Sequence, residues 1–155
     1  MTMGEKLKRI LLIEDDINDV ELTLEALKNF NFDDKVVVIR DGEDVFDYLL
    51  HRKKFSKLSK SKPLVILLDI KMQKINGIEI LQKIKKDYNL KRIPVVMVTS
   101  SWNEPDLKIA YLYGADAYIV KPVNAFDFIE VMKNIGVYWD LVGEGMAANH
   151  KQMVG

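Results

Sequence analysis

Five short apolar runs, Ile10–Ile13, Val36–Ile39, Leu64–Leu68, Val95–Val98 and Tyr118–Val120, alternate with stretches of helical spacing. Nothing else in the sequence narrows the fold as much. The runs are dominated by Val, Ile and Leu and are almost continuously apolar, which is the pattern of strands covered on both faces. The stretches between them carry Ile17, Val20, Leu24 and Leu27; then Val45, Tyr48 and Leu49; Ile80, Leu81 and Ile84; Leu107, Ala110 and Tyr111; and Phe126, Ile129, Met132 and Ile135. Asp16 suits the N-cap of the first helix. Asp41, Gly77 and Asn124 precede the second, third and fifth, while the fourth opens around Asn103–Pro105 and ends at Gly114. Strict alternation of strand and helix implies parallel strands joined by right-handed crossovers, with helices on both faces. Five such units predict an α/β fold, a doubly wound five-stranded parallel sheet of order 2-1-3-4-5 with five helices.

At 155 residues there is room for one ordinary domain. The expected division is one folded unit over 1–143 and a polar, mobile tail over 144–155, with no output domain. Lys+Arg and Asp+Glu number 23 each, so no net field draws the chain toward nucleic acid or an acidic membrane. The basic run from Lys53 to Lys62 reads as a solvated loop. Without cysteine, disulfides, thiol catalysis and zinc thiolate sites are excluded. The apolar runs fall far short of the ~20 residues of a membrane span, and the polar N-terminus shows no signal peptide. A cytoplasmic location is expected.

Ligands of such sheets bind outside the carboxyl ends of the strands. There the sequence places Glu14, Asp15 and Asp16 after strand 1, Asp69 after strand 3, Thr99 and Ser100 after strand 4, and Lys121 and Pro122 after strand 5. Singly, each has a structural explanation: a helix cap, a turn hydroxyl, a solvated charge. Their convergence does not. Strands 1 and 3 are neighbours, so Glu14, Asp15 and Asp69 share one cleft, where three carboxylates repel unless protonated or bridged by a cation. One lysine is too little. A hard divalent ion with oxygen ligands suffices, and few protein ligands leave it the waters that Mg²⁺ keeps. The ion also screens an incoming phosphoryl group. Asp69 is then the nucleophile, Glu14 and Asp15 the acid pair of the metal, Lys121 a point charge on a phosphoryl oxygen and Thr99 a hydroxyl donor.

The stretches ILLIEDDINDVEL, VILLDIKMQKINGIEIL, PVVMVTSSWNEPD and GADAYIVKPV resemble the response-regulator receiver domain over residues 8 to about 136. The resemblance implies a flavodoxin-like receiver fold and a phosphoacceptor signalling switch, an enzyme only toward its own phosphorylation and dephosphorylation. By position, Asp69 matches the phosphoacceptor and Asp15 a direct Mg²⁺ ligand. Glu14 matches an acid acting through a metal-bound water, and Lys71 supplies a backbone carbonyl ligand. Thr99 and Lys121 match the family's hydroxyl and lysine, Lys121–Pro122 its cis peptide bond, and Tyr118 the aromatic that turns inward when Thr99 engages the phosphoryl group. The phosphodonor implied is a sensor histidine kinase or a histidine phosphotransfer protein, and the output passes to a downstream protein in a phosphorelay.

The stretch KRIPVVMVTSSWNEPD, the lysine-rich insertion before strand 3 and a final helix holding Tyr138 and Trp139 are similar to the cyanobacterial phytochrome response regulators, stand-alone receivers that dimerise. Two residues depart from the family pattern: Gln73 replaces a proline, and Lys71 stands where a small or polar residue is common. In the family, the positions of Lys71 and Ser101 border the path of the hydrolytic water. Lys71 is expected either to lean over the phosphoryl oxygens or to point into solvent.

The last helix carries apolar residues on more than one face, Phe126, Phe128, Ile129, Val131, Met132, Ile135, Val137, Tyr138, Trp139, Leu141 and Val142. One stripe suffices against a sheet. The surplus predicts a homodimer through this region, against the alternative that the end folds back on its own domain.

Other functions fit less well. A receiver that only docks partners usually lacks one of these residues, and here all are present. A flavodoxin-like carrier needs a glycine-rich phosphate loop where Glu14-Asp15-Asp16 stands. A haloacid-dehalogenase-type phosphatase needs an Asp two residues after the nucleophile, where Lys71 stands.

Overall fold

The computed structural model of the chain describes residues 9–57 and 62–143. Five parallel strands, β1 (Ile10–Ile13), β2 (Val36–Ile39), β3 (Val65–Asp69), β4 (Val95–Thr99) and β5 (Ala117–Val120), form one sheet of order β2-β1-β3-β4-β5. This is the expected doubly wound topology. Between and after them lie α1 (Ile17–Lys28), α2 (Gly42–Leu49), α3 (Gly77–Lys86), α4 (Pro105–Leu112) and α5 (Ala125–Asn134). A short sixth helix, α6, covers 138–143.

Residues of β1, β3 and β4 are all buried, and successive ones point to opposite faces. Leu11, Ile13, Ile66, Leu68 and Met97 pack with Val45 and Leu49 of α2, Leu81 and Ile84 of α3 and Leu107 of α4. Ile10, Leu12, Leu67, Val96 and Val98 pack with Val20 and Leu27 of α1 and Phe128 and Met132 of α5. Each central strand is thus sandwiched, which explains its unbroken apolar character.

The helices begin where the capping residues lie. Asp16 accepts hydrogen bonds from the amides of Asn18 (2.8 Å) and Asp19 (3.2 Å). Asp41 caps α2, Asn76 caps α3 and Asn124 caps α5. At α4 the capping side chain is Glu104. Asn76 stands one residue before the Gly77 from which the helix was expected.

The C-terminal end differs from the expected single helix. The chain breaks at Gly136, whose φ of 81° stops α5. Beyond it α6 returns to the domain, and Val137, Tyr138, Leu141 and Val142 are buried in the same core as α1 and α5. Most of the apolar surplus is thereby covered within the chain. Phe126 (79% exposed) and Trp139 (51%) remain outside. The expected tail, 144–155, lies outside the described residues. In the basic run, Lys53 pairs with Asp47 and Lys54 with Asp44, while 58–61 lies outside the described residues.

Candidate functional site

The sheet order decides which strand ends meet. Ile13 of β1 pairs with Leu68 of β3, so the next residues, Glu14 and Asp69, lie side by side, both buried. On the other flank, Thr99 pairs with Val120, and the Lys121 amide donates to the Thr99 carbonyl at 2.7 Å. Lys121 therefore faces the carboxylates across the edge of the sheet. The Lys121–Pro122 peptide bond is cis.

The Lys121 ammonium donates to three carboxylates: Glu14 Oε1 at 3.0 Å, Asp19 Oδ2 at 2.8 Å and Asp69 Oδ2 at 2.8 Å. Oxygens of these three acids lie within 4.8 Å of one another. Two of the expected acids are in that group, and the third member is Asp19, which the sequence reading missed. Asp19 sits in the first turn of α1, three residues after the capping Asp16. Asp15 takes a different place. Its Oδ2 accepts the Lys74 amide at 3.2 Å, and its carbonyl is held by the Arg40 guanidinium at 3.1 and 3.3 Å. It thereby ties β1 to the loop that follows β3.

The same loop folds over Asp69. Asp69 Oδ1 accepts the Lys71 amide at 3.2 Å, and Lys71 bridges to Asn76. The loop closes tightly onto α3 because residue 77 is glycine. A Cβ there would fall 2.4 Å from the Asp69 carbonyl oxygen and 3.0 Å from that of Ile70. In the unphosphorylated structure the Lys71 ammonium pairs with Glu104 Oε1 at 3.1 Å.

Thr99 is fully buried. Its hydroxyl donates to the Ser101 carbonyl at 3.0 Å and accepts the Ser101 amide at 3.3 Å, so it is engaged with its own loop. Tyr118 is partly exposed and meets Tyr111 of α4 edge to face at 6.4 Å.

Charge is unevenly shared. Burial, with the neighbouring Asp69 carboxylate, pushes the Glu14 carboxyl up to about 8, although Lys121 draws it down. Burial pushes the Lys121 ammonium down, but its hydrogen bonds to Asp19, Asp69 and Glu14 outweigh that and raise it above its ordinary value. Three acids around one ammonium leave excess negative charge. The donor set therefore fits a hard divalent cation: all oxygen, partly buried, and net negative even with the Lys121 ammonium among the acids. Cysteine is absent and the cluster contains no histidine, so a soft-metal site is ruled out.

The profile of the response regulator receiver domain matches residues 10–133. The chain belongs to this receiver family. The receiver is 35% identical over 132 residues to the response regulator Rcp1 of Synechocystis sp., an alignment covering 85% of this chain and 88% of that one. It superposes on the bacteriophytochrome response regulator AtBRR with a TM-score of 0.78 at 42% identity, covering 90% of this chain and all of the other. On the phosphorylated cyanobacterial phytochrome response regulator RcpA the TM-score is 0.68 at 36% identity, covering 90% and 98%. Rcp1 has also been solved in an Mn²⁺-bound form, which matches with a TM-score of 0.65 at 35% identity over 85% of this chain and 94% of that one. The similarity to phytochrome response regulators expected from the loops and the final aromatic pair thus extends over the whole domain. Receivers are phosphoacceptor signalling switches that use Mg²⁺, and this receiver is one of them. Among the described residues, no helix is long and apolar enough to cross a membrane.

Proposed function

We propose that Asp69 accepts a phosphoryl group from a phosphohistidine and that Thr99, Lys121 and Tyr118 convert this event into a conformational signal. The observation that carries the reading is the buried Asp69 carboxylate, held by Lys121 at 2.8 Å and flanked by Glu14 and Asp19. A carboxylate oxygen of Asp69 attacks phosphorus in line; the new P–O bond forms as the P–N bond breaks, and the imidazole nitrogen leaves with the electron pair. Asp69, a member of the cluster with Glu14 and Asp19, would hold Mg²⁺ together with Asp15 once released from the Lys74 amide, the Lys71 carbonyl and, through a water, Glu14, and the ion would screen the charge of the phosphoryl group. Lys121 then exchanges its contact with Asp69 for one with a phosphoryl oxygen. Thr99 exchanges the Ser101 carbonyl for another, and Tyr118 turns inward into the space that Thr99 vacates. Because the phosphorylated state alone offers Thr99 that contact, phosphorylation biases the equilibrium between two arrangements.

The partners in this reading are a sensor histidine kinase or histidine phosphotransfer protein as donor and a downstream protein in the cytoplasm. The unit that acts is 1–143, with 144–155 as a tail. A second copy of the chain is also a partner, but the support for a homodimer now comes from exposed Phe126 and Trp139 rather than from the whole C-terminal segment. Acetyl phosphate labelling in Mg²⁺ tests the central assignment. Asp69→Asn is expected to abolish it without loss of fold, and undiminished, acid-stable labelling of that variant would refute the acceptor.

A further inference from the structure

Lys71 and Glu104 come from different loops, one after β3 and one before α4, yet their charged ends meet at 3.1 Å. Their surroundings are unequal: the Lys71 side chain is 62% exposed, that of Glu104 10%. A carboxylate so nearly buried needs a countercharge, and among the described residues Lys71 is the cation paired with it. Capping alone does not explain a glutamate here. Asp, Asn, Ser and Thr cap better, and Glu104 accepts the Asp106 amide at a long 3.4 Å. What the longer side chain adds is reach toward the acceptor loop.

Both ends of the pair lead to residues of the reaction. The Lys71 amide donates to Asp69 Oδ1 at 3.2 Å. The Glu104 amide donates to the Ser101 carbonyl at 3.2 Å, the same oxygen to which Thr99 donates at 3.0 Å. A continuous path therefore runs from the acceptor through Lys71, Glu104 and Ser101 to the hydroxyl that must later leave Ser101. We propose that Glu104 is a positioning residue for phosphotransfer: in the unphosphorylated protein it holds Lys71 away from the acceptor and keeps Ser101 in place as the partner of Thr99. This rests on the assignment of Asp69 and Thr99 above. Phosphorylation adds negative charge beside Lys71, which then has two anions to choose between. When the ammonium turns to the phosphoryl oxygens, Glu104 loses its countercharge and the entry to α4 loosens. Breaking the pair beforehand makes the active arrangement easier to reach and frees Lys71 to meet the anion.

The test is a titration of the Mg²⁺-loaded protein with beryllofluoride, an acyl-phosphate mimic, followed by amide NMR shifts. Glu104→Gln is expected to tighten binding about two- to fivefold, the range open to one partly exposed ion pair. In a Lys71→Gln background, which retains the backbone carbonyl, the same substitution is expected to change nothing. Glu104→Asp separates latch from cap: aspartate caps well but is one methylene too short for Lys71, so it is expected to behave like Glu104→Gln. Wild-type affinity in Glu104→Asp, an equal Glu104 effect with and without Lys71, or weaker binding in Glu104→Gln would each overturn the proposal. The resting protein supplies a separate readout, since Glu104→Gln is expected to move the Lys71 and Ser101 amide resonances with no anion present. If the unmodified protein fails to bind beryllofluoride, the Asp69 assignment fails, and unmoved resonances at Lys71 and Ser101 would still refute the latch by themselves.

Discussion

Glu14 is expected to make the metal-free protein an acid-stabilised one. In the unfolded chain its carboxyl ionises near 4.5, whereas in the fold burial and the adjacent Asp69 carboxylate hold the proton up to about 8. Between those values the folded protein binds one proton more than the unfolded chain, so stability falls as pH rises, by up to about 1.4 kcal/mol per pH unit. From pH 5 to pH 7 the loss reaches at most about 3 kcal/mol, and water reaching the cleft brings the expected figure to about 2 kcal/mol. With a urea dependence of about 2 kcal/mol per molar, the unfolding midpoint moves down by about 1 M. Glu14→Gln removes the ionisable group while keeping a neutral side chain of nearly the same shape against Lys121. Its midpoint in EDTA is expected to stay nearly level over the same range and to exceed that of the unmodified protein at pH 7. Excess Mg²⁺ is expected to flatten the unmodified profile as well, because the cation replaces the proton among the carboxylates. Urea unfolding at pH 5, 6, 7 and 8, with EDTA or Mg²⁺, measures all of this. Parallel decline of the two proteins in EDTA would refute the reasoning.

Gly77→Ala forces a methyl group to within 2.4 Å of the Asp69 carbonyl oxygen, a backbone atom that cannot swing aside. We expect a loss of about 1–3 kcal/mol in urea unfolding and markedly slower acetyl phosphate labelling, because the strand end that carries the nucleophile is displaced; wild-type stability would show that the loop gives way freely. For the homodimer, sedimentation at micromolar concentration is expected to show a dimer that Phe126→Ser with Trp139→Ser dissociates, and a monomeric unmodified protein at that strength would refute it.

The sheet was legible because its signal is local and repeated. Each central strand is a run buried on both faces, each helix begins at a capping residue, and strict alternation with right-handed crossovers leaves few topologies, of which 2-1-3-4-5 is the one for five units. The C-terminal end was misread as one helix although Gly136 stood in it as a stop signal. Apolar count alone could not say whether Val137, Tyr138, Leu141 and Val142 served a partner or the domain's own core; the turn at Gly136 decides for the core. Phe126 was expected on the buried stripe of α5, yet Phe128 takes the core position and Phe126 faces solvent. Spacing separates the two: Phe126 is followed at i+4 and i+7 by Glu130 and Lys133, whereas Phe128 is followed at i+3, i+4 and i+7 by Val131, Met132 and Ile135.

At the site, strand ends revealed which residue types converge, but not how one ammonium is divided among several acids. Glu14, Asp69 and Lys121 follow directly from sheet order, because backbone pairing carries them to one edge. Asp19 does not lie at a strand end. It reaches Lys121 because Asp16 caps α1, which sets the phase of the first helical turn and brings the residue three positions on over the same cleft. That phase was readable from Asp16, so the signal existed and was overlooked. Lys71 and Glu104 had no such signal. They are joined by two flexible side chains across a sequence separation that no periodicity spans, and their meeting depends on where α4 begins. Backbone geometry propagates from sequence pattern through hydrogen-bond registry, whereas the pairing of long charged side chains is settled by competition among neighbours of similar energy. In the proposed switch the sheet holds the acceptor still, and the contacts that a phosphoryl group is expected to redirect are those of side chains: the Lys121 ammonium, the Thr99 hydroxyl and the Lys71 ammonium.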